Sequence, residues 1–226
     1  MLVPGIDSRK IDCLGSDGID LYVVRIDPTQ WNFNAAVVKR TTARSLAGAR
    51  NASFAINANF FDAGFNPIGV IVRGGDVVQP PHKSSWQSIF LIDDHGRARI
   101  VMPSQWRTYR DRADVAVQAG PRLVVNGHVN KKIRNNYAAP RGGVCIQDDQ
   151  SLLFFASPHS RKYHIKEIAR IAALAESDGG LACRNAMLFD GGHSVNLFAG
   201  GDDKRIDVEG DPVPIFLYAT PNNNAQ

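Results

Sequence analysis

Long apolar runs are missing from this sequence. None approaches the roughly 18 residues that a membrane-spanning helix needs, so no stretch reads as a transmembrane segment. A charged-then-apolar N-terminus of the secretory kind is also missing, and strand-like sequence starts by about Asp20. The chain as given fits a cytoplasmic protein if complete, or a periplasmic or secreted one if a leader has been removed. Cysteine is scarce: Cys13, Cys145 and Cys183 make an odd count. Two of them sit in apolar runs, where a free thiol packs as a small hydrophobe. No C-x-x-C or Cys/His spacing points to structural zinc. Concentrated charge is absent as well, the net charge of +4 being spread along the chain. The densest basic patch, Lys131, Lys132 and Arg134, has no interleaved aromatics. It reads as a solvated loop or one wall of an anionic-substrate site, which argues against a nucleic-acid partner.

What is present suits one domain spanning residues 1–226. The 44% hydrophobic share is enough for a core and excludes a disordered chain. Strand signals dominate. Asp20–Ile26, Ala35–Lys39, Ser53–Ile56, Ser151–Ser157, Arg205–Val208 and Ile215–Tyr218 read as strands. Hairpin signals join Pro67–Arg73 to Asp76–Gln79, and Ser88–Ile92 to Arg97–Val101. Asp114–Gln118 and Arg122–Val125 flank Gly120-Pro121, and Asn126-Gly127 is the strongest short-range turn signal. Thr41–Arg50 predicts a short helix. Ile165–Ser177 predicts the main one, with Ile165, Ile168, Ile171, Ala172 and Ala175 as an apolar stripe widened by Leu174 and stopped at Gly179-Gly180. The polar tail from Pro221 reads as frayed. The fold class is α+β: a large, mostly antiparallel or mixed sheet with one main amphipathic helix and a few short ones.

Three stretches carry chemistry. In Asn185–Phe198 a buried strand ends on Asp190, followed by Gly191, Gly192, His193 and Ser194. A carboxylate, an imidazole and a hydroxyl share a turn whose glycines admit close approach of a ligand and whose N–H groups can cup an anion. D-G-G is also a common plain hairpin turn. In Asn57-Ala58-Asn59-Phe60-Phe61-Asp62, amides and aromatic rings suit sugar hydroxyls and pyranose faces, although the rings also suit a core and the asparagines a loop cap. In Ala139–Ile146, Arg141 enters a strand behind a proline, where a fixed guanidinium can grip a phosphate or carboxylate.

Taken together these motifs resemble the phosphodiester glycosidase family, over a core from about Pro4 to Tyr218. The resemblance rests on Ile56–Asp62, on Gly120-Pro121-Arg122-Leu123-Val124-Val125-Asn126-Gly127, on Arg141 and on Leu188–Ser194. The run Phe189-Asp190-Gly191-Gly192-His193-Ser194-Val195-Asn196 departs from the family's usual L-D-G-G-G-S-T-T, with histidine at a glycine and Val195-Asn196 for the threonines. Gly142-Gly143 and Cys145 depart from its R-T-A-I-G run. The resemblance implies hydrolysis of a sugar-1-phosphate diester, N-acetylglucosamine or a related sugar, small or polymeric. Asp190 is then the first candidate for the working carboxylate and Asp62 the second. Arg141 would hold the phosphate. Asn57, Asn59, Phe60, Arg122, Gly191, Gly192, His193 and Ser194 would bind substrate. Asp62, Asp190 and nearby carbonyls can also hold a hard cation such as calcium, although no ligand spacing demands one. Two other readings stay open: a non-catalytic glycan or sugar-phosphate binding domain, and a serine esterase using Ser194. The esterase reading needs glycine where Asn196 stands and a helix where Val195–Phe198 reads as strand.

Overall fold

The computed structural model describes residues 2, 5–12, 20–134, 137–200 and 204–222. β1 (Ile6–Asp12) and β2 (Asp20–Ile26) pair antiparallel, β3 (Trp31–Thr41) follows, and α1 (Ala43–Arg50) leads into β4 (Phe54–Asn57). Next come β5 (Ile71–Arg73), β6 (Asp76–Gln79), β7 (Ser88–Asp93), β8 (Ala98–Val101) and a short α2 (Trp106–Tyr109). β9 (Ala113–Ala119), β10 (Arg122–Val125) and β11 (His128–Val129) precede β12 (Gly142–Ile146) and β13 (Leu152–Ala156). α3 (Ile165–Ala173) crosses to β14 (Asn185–Leu188), and β15 (Leu197–Gly200), β16 (Arg205–Val208) and β17 (Val213–Pro221) close the chain.

The α+β class is borne out, with the strands divided among three antiparallel sheets. Their orders are β1-β2-β13-β12-β14-β10-β11, β16-β15-β4-β17-β3 and β6-β5-β9-β7-β8. Period-2 alternation puts one face of each sheet into a shared core. Phe154 of the first sheet lies 4.5 Å from Phe54 of the second and 6.2 Å from Phe90 of the third, ring centre to ring centre. All three rings are fully buried, so the three sheets close on one aromatic junction. The opposite face of the first sheet is covered by α3, whose Ile165, Ile168, Ala169 and Ala172 pack against Leu123, Leu153 and Phe155.

Four details correct the sequence reading. β1 is an added strand; its I-D-S-R-K-I-D sequence alternates too weakly to announce itself. α3 stops at Ala173, and Leu174 turns extended and 40% exposed instead of widening the stripe. The returning chain causes this early stop: Leu181, Ala182 and Cys183 donate to the carbonyls of Ile171, Leu174 and Ala172 at 2.8–3.0 Å. Those last-turn carbonyls are therefore satisfied without another helical turn. Cys145 and Cys183 are not free thiols; they form a disulfide from β12 to the chain entering β14. Pro221 ends β17 rather than opening a frayed tail, while Cys13 and residues 223–226 lie outside the described residues.

Candidate active site

The residues around Asp190 are placed by main-chain hydrogen bonds from two neighbouring elements. Beyond β14, Phe189 N–H donates to Gly142 O at 2.9 Å and Asp190 N–H to Ala58 O at 2.9 Å. Gly192 N–H then donates to Pro140 O at 3.0 Å. The turn thus lies against the segment after β4 on one side and the entrance to β12 on the other. Gly192 has φ +64°, which suits glycine, and opens a 3₁₀ turn over Gly192–Ser194. Gly191 sits close to its neighbours for a different reason. A Cβ there would stand 3.1 Å from Pro140 O and 3.4 Å from Arg141 Nη1.

Asp190 is the chemically distinctive group. Its carboxylate accepts from the Ser194 hydroxyl and the Gly191 N–H, yet desolvation dominates and pushes its pKa up from 3.8 to about 6. Among the described residues it makes no ion pair, so nothing cationic offsets the desolvation. The carboxyl can therefore change protonation state near neutral pH, as a working acid or base requires.

Arg141 is buried, being only 3% exposed. Its Nε donates to Tyr163 O at 3.1 Å, its Nη2 to Tyr137 O, and the Tyr137 ring lies 4.6 Å from Cζ. Its backbone N–H donates to Ser157 Oγ at 2.9 Å. Nη1 has no protein acceptor among the described residues, and it is the nitrogen that faces Gly191. A locked guanidinium with one free edge, lying against the turn that carries a desolvated carboxyl, is an arrangement for an anionic ligand. Beside the turn opens a pocket of about 540 Å³ whose wall includes Pro140, His159, Lys162, Gly192, His193 and Asp211, though not Asp190 itself.

The other expected site residues fall into distinct places. Asn57 is buried and builds the site from within: its Nδ2 donates to Asp190 O at 2.8 Å and its Oδ1 accepts Asn196 N–H at 3.0 Å. Asn59 is buried too, donating to Ile68 O and Val70 O and accepting Gln118 N–H. Phe60 is half-buried, and Asp62 is exposed, its carboxylate held by the N–H groups of Gly64 and Asn66 and by the Asn66 amide. Those bonds draw the Asp62 pKa below the usual range, led by the Asn66 side chain. Among the described residues no three His, Cys, Asp or Glu side chains gather to hold a metal. His193 is exposed on the turn. Ser194 bonds Asp190 directly, with no imidazole between them. Arg122 is not brought to this cluster; it bonds Asn185 Oδ1 at 2.6 Å, at the far end of β14.

Sequence reasoning missed several contributors. Asn196, fully buried, links Asn57, Ser194 O, Asp211 O and the N–H of Ala43. Its replacement of a threonine was visible, its clasp with Asn57 was not. Trp86 is 53% exposed, yet its ring lies 5.5 Å from Phe60. Its loop is fixed by Gln118, whose amide bonds His82 O and Gln87 Oε1 and accepts from His82 N–H. An exposed tryptophan on a fixed loop is a signal that only the structure provides.

Comparison with known proteins bears on the family and the fold. The family profile described as phosphodiester glycosidase matches residues 50–219. The uncharacterized protein YigE of Escherichia coli K12 is 26% identical over 119 residues, which cover 49% of this chain and 46% of YigE. The chain thus spans about half the length of that curated relative. Among solved structures, the zebrafish N-acetylglucosamine-1-phosphodiester alpha-N-acetylglucosaminidase catalytic domain, auto-inhibited by its pro-peptide, superposes with TM-score 0.70 at 12% identity. That match covers 96% of this chain and 82% of the zebrafish one. A hypothetical protein from Synechocystis gives 0.66 at 13% identity, over 97% of this chain and 62% of its own. At such identities the structures speak for the fold alone, and the profile for membership. The chain belongs to the phosphodiester glycosidase family.

Proposed function

We propose that this chain hydrolyses the bond between the anomeric carbon of a sugar, N-acetylglucosamine or a close relative, and a phosphodiester oxygen. The products are free sugar and a phosphomonoester. The observation that carries this reading is the desolvated Asp190 carboxyl on the turn whose next residue, Gly191, lies against the free Nη1 of Arg141. Departure of a phosphate needs little protonation, so one carboxylate suffices to stabilise an oxocarbenium-like transition state and to activate water or attack directly. In this scheme Arg141 Nη1 holds the departing phosphate and takes up its growing charge. Gly191 leaves room for that contact. Ser194 orients the Asp190 carboxylate, and Asn57 and Asn196 fix the turn that carries it. Phe60 and Trp86 supply an aromatic platform for the sugar face.

The test is release of free sugar from an α-N-acetylglucosamine-1-phosphodiester, or from UDP-N-acetylglucosamine, by wild type and Asp190→Asn, with and without chelator. Wild type releases sugar, and the variant loses roughly 10²–10⁴-fold in rate. Equal rates would reject Asp190 as the working group. Loss of activity with chelator would assign a metal to the reaction.

A further inference from the structure

A second pocket, of about 480 Å³, lies at the opposite end of β14, between β8 and β10. Its wall includes Arg97, Arg99, Arg122 and Arg184, and no carboxylate. Arg99 and Arg184 approach Asp93 and Asp148 only at 3.7 and 3.8 Å, each through Nε. Arg97 and Arg122 have no carboxylate in ion-pair range among the described residues. Three buried polar atoms of this wall lack a hydrogen-bond partner: Arg99 Nε, Arg122 Nε and Gln150 Oε1. An unmet buried donor costs about 1–3 kcal/mol, more when charged. The half-buried Arg122 meets only the neutral amide of Asn185, at 2.6 Å. Burial accordingly disfavours its charge and lowers its pKa.

We propose that this pocket is a binding site for a phosphate-class oxyanion, held by the donor edges of Arg97, Arg122 and Arg184. Planar guanidinium forks match tetrahedral oxyanions through paired hydrogen bonds, and several forks together select phosphate over monovalent chloride. The neutral wall around them, Asn126, Gln105 and Tyr109, offers partners to hydroxyl groups carried on such a ligand. None of these residues belongs to the Asp190 cluster, so this site and the glycosidase reading stand or fall separately.

Isothermal titration calorimetry of the intact chain at constant ionic strength tests it, with inorganic phosphate and glucose 6-phosphate as separate probes. Wild type binds saturably, Arg97→Gln/Arg122→Gln weakens binding by roughly tenfold or more, and Arg141→Lys leaves this binding event unchanged. Should the double variant fold poorly, the exposed-residue variants Arg97→Glu and Arg184→Glu give the same loss without touching Arg122. Tighter binding of glucose 6-phosphate than of phosphate supports the site with a phosphorylated sugar as its ligand; equal binding supports it with free phosphate. Absence of saturable binding to wild type would overturn the proposal. So would binding that survives the arginine changes but is lost in Arg141→Lys, since the anion would then sit only beside Asp190.

Discussion

Replacing Asp190 by asparagine should make the protein more stable while removing its activity, and the gain should depend on pH in a defined window. Moving the carboxyl from 3.8 to about 6 corresponds to about 3 kcal/mol against the ionised folded state. Between those values the folded chain keeps a proton that the unfolded chain has released. Stability from this group is therefore complete below 3.8 and lost as pH rises through about 6. The amide of Asp190→Asn does not titrate, so the variant escapes the loss. Relative to its value near pH 4, the stability difference between variant and wild type should grow by about 2.5 kcal/mol at pH 8. In melting temperature that is a widening of roughly 5–10 °C for a chain of this size. Urea denaturation at several pH values reads the difference directly. In parallel, wild-type kcat/KM should climb as pH rises toward about 6 and level off above it, because the carboxylate is the working form. A stability difference that stays flat from pH 4 to 8 would refute the reasoning. Asp190 would then be well solvated, and its suitability for chemistry near neutrality would have no basis.

The same geometry sets three further outcomes. Arg141→Lys keeps the charge but not the fork, and should lower kcat/KM by roughly 10–100-fold; sugar release with a phosphodiester substrate checks it. Trp86→Ala should raise KM by roughly fivefold with kcat nearly intact, from about 1 kcal/mol of lost ring contact, and steady-state kinetics separate the two. Removing the disulfide with Cys145→Ala/Cys183→Ala opens a link across 38 residues. The chain-entropy relation puts the cost at about 4 kcal/mol, readable by thermal melting of the oxidised wild type against the variant.

Much of the fold was legible because the strands announce themselves through β-branched and aromatic alternation, as in Asp20–Ile26, and through turn pairs such as Asn126-Gly127. The Asp190 turn and Arg141 were legible as chemistry because a carboxylate between a buried strand and two glycines is a local pattern. What stayed hidden depends on contacts between distant residues. Cys145 and Cys183 stand 38 positions apart and read separately as small hydrophobes. Asn57 and Asn59 look like surface hydrogen-bonding groups in sequence, yet their amides serve main-chain groups of residues 68, 70, 118, 190 and 196. Arg122 shares a short motif with Gly120-Pro121, but a register shift between β10 and β14 and a bond to Asn185 carry it away from Asp190.

The fixing of Arg141 by Tyr163 O, Tyr137 O and the Tyr137 ring has a thermodynamic consequence for any ligand it meets. A free arginine side chain carries about 2 kcal/mol of rotational entropy, which a surface residue forfeits only when it seizes its partner. Here that freedom is already lost during folding, so a phosphate arriving at Nη1 encounters a donor that does not have to be immobilised. The association should accordingly owe its affinity to the charged contact and the water it displaces rather than to ordering of the protein.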